Sequence, residues 1–183
     1  MRLLVGVLLL VAAGAARGQE GVFLSEADAP KAVFRDADTV VRREVPVTPE
    51  RRAKVTEGLG GKLPSMWEEH WIVFDVAQGA TPLGRAIVVE EIGKHRPITF
   101  VVGLKPDRSV EDVAVMSYRE AYGGEIAQKR FLRQYAGKKP NADLRAPGGI
   151  QNVAGATLSV EAASRAVHKA QAIAALLDAE PAS

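Results

Sequence analysis

The chain has 183 residues, 24 Lys+Arg against 22 Asp+Glu, three His and no Cys. Without cysteine it has no disulfide, thiolate zinc site, iron–sulfur cluster, c-type haem attachment or cysteine nucleophile. Arg2 and Arg17 are the only charged side chains of residues 1–18, so the rest balances at 22 bases and 22 acids, and no general nucleic-acid footprint is expected.

Met1-Arg2 is a short basic start, and Leu3 to Ala16 is an unbroken run of apolar and small residues. Fourteen residues at about 1.5 Å each reach about 21 Å, short of the roughly 30 Å hydrocarbon core of a bilayer. Ala16-Arg17-Gly18 puts small residues at −3 and −1 of a cut before Gln19, so residues 1–18 read as a signal peptide. A periplasmic or otherwise extracytoplasmic location follows, with membrane anchoring if the leader is uncleaved. The remaining length suits one domain, burying about 70% of its unfolded surface.

Ser25 with Asp28 forms a capping-box pattern for a short helix through about Phe34, with Pro30 near its first turn. Thr48-Pro49-Glu50 starts a second helix that Gly58 and Gly60-Gly61 stop, so 19–65 reads as an N-terminal helical segment. Strand composition then takes over: Ile72 to Phe74, Ala86 to Val89, Ile98 to Val102 and Val110 to Met116. The turns Gly79 to Pro82, Gly93 to Pro97 and Lys105 to Arg108 separate them, and brief connections favour antiparallel pairing. Glu125 to Ala136 carries Ala127, Phe131, Leu132 and Tyr135 at helical spacing, ended by Gly137. Val160 to Leu177 carries a longer stripe: Val160, Ala163, Val167, Ala170, Ala174 and Leu177. The order predicts a single α+β domain, an antiparallel sheet packed with helices, with residues 66–179 as its main body.

Chemistry concentrates between those last two helices, in Gly148 to Ser159. Ala154-Gly155-Ala156 strips bulk from the backbone so that another molecule can approach. Thr157 and Ser159 present hydroxyls where the long helix begins, a place whose free N–H groups and dipole favour phosphate. A hydroxyl there caps the helix, binds an anion or is esterified to one; composition and spacing leave the three open. A second Gly-Ala-Thr, at residues 79–81, runs into Pro82 and reads as a plain turn.

Gly155-Ala156-Thr157-Leu158-Ser159, followed by an Ala-rich amphipathic helix and preceded by a strand-like approach, resembles the flavinylation motif of the FMN-binding domain family. That family includes the C subunit of the sodium-pumping NADH:quinone oxidoreductase and the G subunit of the Rnf complex. Upstream, Tyr118-Arg119-Glu120-Ala121-Tyr122-Gly123 is similar to the family's Glu-Thr-Pro-Gly segment, with Ala121 and Tyr122 in place of Thr-Pro. Gly93-Lys94-His95 to Gly103 and Phe131 to Lys138 are similar to a secreted, soluble branch, so the likeness covers roughly residues 70–175. It implies FMN joined by a phosphoester to Thr157, Ser159 being the other hydroxyl. Gly155, Ala156, Tyr118, Arg119, Glu120, Tyr122 and Gly123 would then lie around the flavin. Gln151 and Ala154 depart from the family, which has an acid and a Ser or Thr at those positions. The implied partners are a flavin transferase and a membrane redox protein that donates or accepts electrons. The implied role is electron transfer within a membrane-associated redox complex. A reductase of a small acceptor, or a module binding FMN without a covalent bond, is the alternative.

Other residues read as structural. His70, His95 and His168 form no metal-like cluster. Glu68-Glu69 and Glu90-Glu91 read as solvated, and Trp67 and Trp71 as core or strand-end anchors. No Gly-x-Ser-x-Gly elbow, Walker or Rossmann glycine pattern occurs.

Overall fold

Six antiparallel strands in the spatial order β1-β6-β5-β4-β3-β2 form the centre of the molecule. The structure is a computed structural model that describes residues 21–61, 65–121 and 123–180; the signal-peptide reading and Tyr122 lie outside the described residues. β1 is Gly21–Val22, β2 Thr39–Pro46, β3 His70–Gln78, β4 Thr81–Ile92, β5 Pro97–Leu104 and β6 Val110–Tyr118. From β2 to β6 each strand pairs with its successor, and β1 closes the far edge against β6. Among the described residues four helices accompany the sheet: α1 Ala29–Val33, α2 Pro49–Gly58, α3 Lys129–Leu132 and α4 Thr157–Ala179.

The two faces of the sheet are covered differently. α4 lies across β4 and β5, its Val160, Ala163, Val167 and Ala170 packed with Ile87, Val89, Phe100 and Val102. Alanines at these helix positions let it approach the sheet closely. On the opposite face, Ala29, Val33 and Phe34 cover Val101, Ala86 and Met116. With both faces covered, β5 is buried from Phe100 to Leu104, which explains its continuous apolar run. The α+β expectation holds.

Capping chemistry behaves as expected in α2, where Thr48 Oγ1 accepts from Arg51 N at 3.3 Å. At α1, Ser25 Oγ accepts from Asp28 N at 3.2 Å, and Ala29 N bonds to Ser25 O at 3.1 Å. Three elements differ from expectation. The segment 19–65 contains β1 and β2 besides its two helices. β2 is an edge strand with only Val45 buried, so Arg42, Arg43 and Glu44 mask the alternation that usually announces a strand. Its backbone ladder to β3 holds it, and exposed ion pairs from Arg42 to Glu26 and from Arg43 to Asp75, each 2.6 Å, decorate its surface.

The helix expected over Glu125 to Ala136 is broken. Gly124–Ala127 and Arg133–Tyr135 are 3-10 turns on either side of α3, and Gln128 is extended with φ −68° and ψ 132°. Tertiary contacts set this path: Lys129 pairs with Asp112, and the Tyr135 hydroxyl lies 3.0 Å from Ser164 Oγ. Burial pushes the Tyr135 phenol up to about 12, against the opposing hydrogen bond from Ser164. Nor does a strand precede α4; residues 138–156 are irregular, pinned by buried Leu144 and Ile150.

The acidic pairs are only partly solvated: Glu69 is exposed and Glu90 half-buried, whereas Glu68 and Glu91 turn inward. Ile87, Val89 and Glu91 share the α4 face of β4 by period-two alternation, and Glu91 is fully buried there. Lys169 of α4, also fully buried, donates to Glu68 Oε1 at 2.6 Å, to Glu90 O at 3.0 Å and to Ser65 O. Its Nζ lies 3.9 Å from Glu91 Oε1, while Arg165 Nε bonds Glu91 Oε2 at 3.0 Å. Burial raises the Glu91 pKa despite both cations. This network locks the end of β4 to α4. Lys169→Met would leave buried carboxylates without their ammonium and is expected to cost about 3–5 kcal/mol in urea unfolding. Adding Glu91→Gln should recover part of the loss.

Candidate functional site at the start of helix α4

Three irregular stretches meet at one pole: the β4–β5 turn at Gly93 to Arg96, the β6 exit from Tyr118 to Gly123, and the loop into α4. Glu120 joins the first two. Its buried Oε1 accepts from His95 N at 2.5 Å and Arg96 N at 2.9 Å. Burial works to raise its pKa, but the main-chain N–H groups of His95, Arg96 and Lys94 outweigh it and hold the carboxyl below its ordinary value.

Gly123 joins the second and third stretches. Its φ is +88°, and a Cβ there would lie 2.8 Å from Tyr118 Oη and 3.1 Å from both Ala156 Cβ and Ser159 Oγ. Only glycine meets both the left-handed backbone and this close approach. Tyr118 is fully buried, and its hydroxyl lies 3.1 Å from Ser159 Oγ, itself buried. Burial leads the upward shift of the Tyr118 pKa, against the Ser159 hydrogen bond. Tyr118 and Ser159 therefore tie the sheet to the helix from inside.

The loop presents Thr157 outward. Gln151 N donates to Gln134 Oε1 at 2.8 Å, and Ala156 N to Val153 O at 3.0 Å. Between these anchors Ala154 and Gly155 are exposed, and Gly155, at φ +78°, has open space where a Cβ would stand. The N-cap of α4 is Ala156, and no side chain among the described residues caps the helix. Thr157 is the first helical residue; its exposed Oγ1 accepts from Asn152 Nδ2 at 3.0 Å. Neither Thr157 nor Ser159 fills the capping role that their spacing allows. Instead an uncapped N-terminus of a 23-residue helix stands beside an exposed hydroxyl and a backbone cleared of bulk. That combination suits a phosphate and its ester.

The nearby candidates divide by exposure. Arg119 is exposed, and the neighbouring Glu120 serves the turn amides. Gln151 is exposed as well. Asn152 escaped the sequence reading, since nothing in an Asn five residues before a Thr announces their contact across a loop. A groove of about 1010 Å³ runs along the outer side of α4 between Leu59 and Leu144; its lining does not include Thr157.

The remaining suspects have structural surroundings. His70 Nδ1 lies 3.7 Å from Glu44, and His168 Nε2 lies 3.4 Å from Ala142 O. Among the described residues no group of three or more His, Cys, Asp or Glu is arranged to hold a metal ion. Trp71 is core, whereas Trp67 is exposed and donates to Glu90 Oε2 at 2.5 Å. Among the described residues no helix is long and apolar enough to cross a membrane.

Two substitutions test this construction. Gly123→Ala is expected to destabilise the protein by about 2 kcal/mol or more, measured by thermal unfolding. Glu120→Gln removes a carboxylate whose pKa falls on folding, so the wild type should be the more stable above pH 4.5, the ordinary glutamate value. The gap should close as the pH drops through the lowered pKa and Glu120 takes up its proton.

Comparison with known families matches residues 93–172 to the model of the FMN-binding domain, from the β4–β5 turn through most of α4. No curated protein matches the chain. The matched stretch contains all three segments of the pole, and the exposed hydroxyl, open backbone and uncapped helix there fit a flavin phosphate. Residues 93–172 belong to the FMN-binding domain family, and FMN is the cofactor of this domain.

Proposed function

We propose that the protein is an extracytoplasmic electron carrier whose FMN is joined through its phosphate to Thr157. The observation that carries this reading is the exposed Thr157 hydroxyl at the uncapped start of α4. Ser159, the other hydroxyl of the motif, is buried against Tyr118 and out of reach of a modifying enzyme. Attachment forms a Thr157 Oγ1–phosphorus bond and breaks the phosphoanhydride of an activated flavin donor. The leaving phosphate departs with the bonding electron pair, and the hydroxyl proton passes to a base on the transferase.

When bound, FMN supplies the redox chemistry, taking up and releasing electrons at its isoalloxazine ring. The chain's residues prepare the site. Asn152 Nδ2 donates to Thr157 Oγ1, fixing the rotamer of the hydroxyl while leaving its proton removable. The first N–H groups of α4 would hold the phosphate and offset its charge. Gly155 and Ala154 leave room above the backbone, and exposed Arg119 would supply a positive charge near the bound cofactor. Gly123, Glu120 and Tyr118 hold the pole together from behind.

A covalent tether suits a protein outside the cytoplasm, where free FMN is dilute and a dissociable cofactor would drain away. The leader pattern of residues 1–18 supports that location. A flavin transferase and a membrane redox protein complete the reading as partners, and no substrate pocket of the protein's own is invoked.

Coexpression of the exported protein with a flavin transferase tests the attachment. The wild type and Ser159→Ala should gain the mass of FMN less one water and stay yellow after denaturation, and Thr157→Val should gain nothing. Asn152→Ala should slow labelling several-fold with the fold intact. A Thr157→Val protein that keeps the mass gain would overturn Thr157 as the acceptor, and yellow wild type without added mass would establish non-covalent binding.

A further inference from the structure

The pole that carries Thr157 also exposes a group of basic side chains. Lys94, His95 and Arg96 occupy the exposed β4–β5 turn, and Arg119 is exposed next to the Glu120 that clamps it. Two of the nearest acids, Glu120 and Glu91, are buried beneath the surface that the basic side chains present, and Glu90 is half-buried. Glu120 accepts from the turn amides, Glu91 faces Arg165 and Lys169, and Glu90 accepts from Trp67 Nε1 and Thr99 Oγ1. Glu125 is the exposed acid near Tyr118, and Glu161 lies 4.0 Å from Arg165. Lys94 and Arg96 thus face solvent, with no ion pair to either among the described residues.

Exposed apolar side chains lie at the same pole. Leu158, 46% exposed, follows Thr157 directly, and Ile92, 38% exposed, ends β4. Arg165 Nη2 bonds Ile92 O at 2.7 Å, which sets Ile92 beside α4. Leu158 lies seven residues up the same helix, about 10 Å along its axis. Apolar contact points within a charged rim are the anatomy of a protein-docking surface.

We infer that this pole, centred on Leu158 and Ile92 and rimmed by Lys94, His95, Arg96 and Arg119, docks the acidic face of a redox protein. The inference rests on the electron-carrier reading and deepens it, because it names the partner's surface chemistry. The Glu120 carboxylate fixes the backbone of the β4–β5 turn, so the cations are presented without a large ordering cost. Opposite charges steer encounter and bring the partner against the residue that bears the cofactor.

The flavin-loaded protein, photoreduced, is mixed by stopped flow with oxidised plastocyanin, an acidic one-electron carrier, or with cytochrome c, a basic one. Each copper or haem iron takes one electron from the reduced protein. With plastocyanin the second-order rate should fall about tenfold or more as salt rises from about 10 to 300 mM. The double variant Lys94→Glu/Arg96→Glu should lose most of the low-salt rate, while its oxidation by uncharged benzoquinone stays unchanged. Cytochrome c should be slow at low salt and faster in the double variant. A plastocyanin rate indifferent to salt in the wild type, or a salt-sensitive preference for cytochrome c, would overturn the inference even if the variant failed to fold. Failure of the reduced wild type to be oxidised by benzoquinone would instead remove the carrier reading, and the docking inference with it.

Discussion

Helix α4 begins without a side-chain cap, and the arrangement of the pole depends on that. A Ser, Thr, Asp or Asn at the N-cap stabilises a helix by about 1 kcal/mol relative to Ala. Here the N-cap is Ala156, although a threonine and a serine lie within three residues. The first helical N–H groups remain available, and the hydroxyls serve otherwise: Thr157 points outward and Ser159 inward to Tyr118. Stability forgone at a helix start is the kind of local cost that functional sites carry.

The rest of the fold holds that exposed start in place. Gly123 lets the β6 exit pass against Ala156 and Ser159, and Glu120 fastens the same exit to the β4–β5 turn. Further along α4, Lys169 and Arg165 reach the end of β4 through Glu91, Glu90 O and Ile92 O. The start of α4 is thus tied to β6 through Tyr118 and its middle to β4 through Glu91, which fixes the helix against the sheet at two points. The pole is therefore rigid although it consists of loops, and a rigid frame is what positions a tethered cofactor.

Much of this was legible in the sequence, for identifiable reasons. β3 to β6 are apolar runs between strong turn signals, and α4 has a stripe too long to mistake. α2 carries its own start and stop in Thr48-Pro49 and Gly58. β2 was hidden because an edge strand with only Val45 buried has no apolar stripe to display. The break at Gln128 was hidden because Tyr135 and Lys129 answer to Ser164 and Asp112, which lie far away in sequence. Glu91 misled for a related reason: alternation shows that one of Glu90 and Glu91 must face inward, but only the sheet reveals Lys169 opposite. At the site, Thr157, Gly155, Ala156, Glu120 and Gly123 stood out through a family likeness. The work of Glu120 and Asn152 required knowledge of which backbone amides and hydroxyls the fold brings to them.

The central claim is that one exposed hydroxyl, Thr157 Oγ1, bears the flavin. The most direct measurement is fragmentation mass spectrometry of the proteolytic peptide Ala146 to Arg165 from the flavin-loaded protein, which contains both Thr157 and Ser159. The FMN-phosphoryl mass is expected on fragments that include Thr157 and exclude Ser159. The same mass confined to fragments that include Ser159, or an unmodified peptide from a yellow protein, would contradict it.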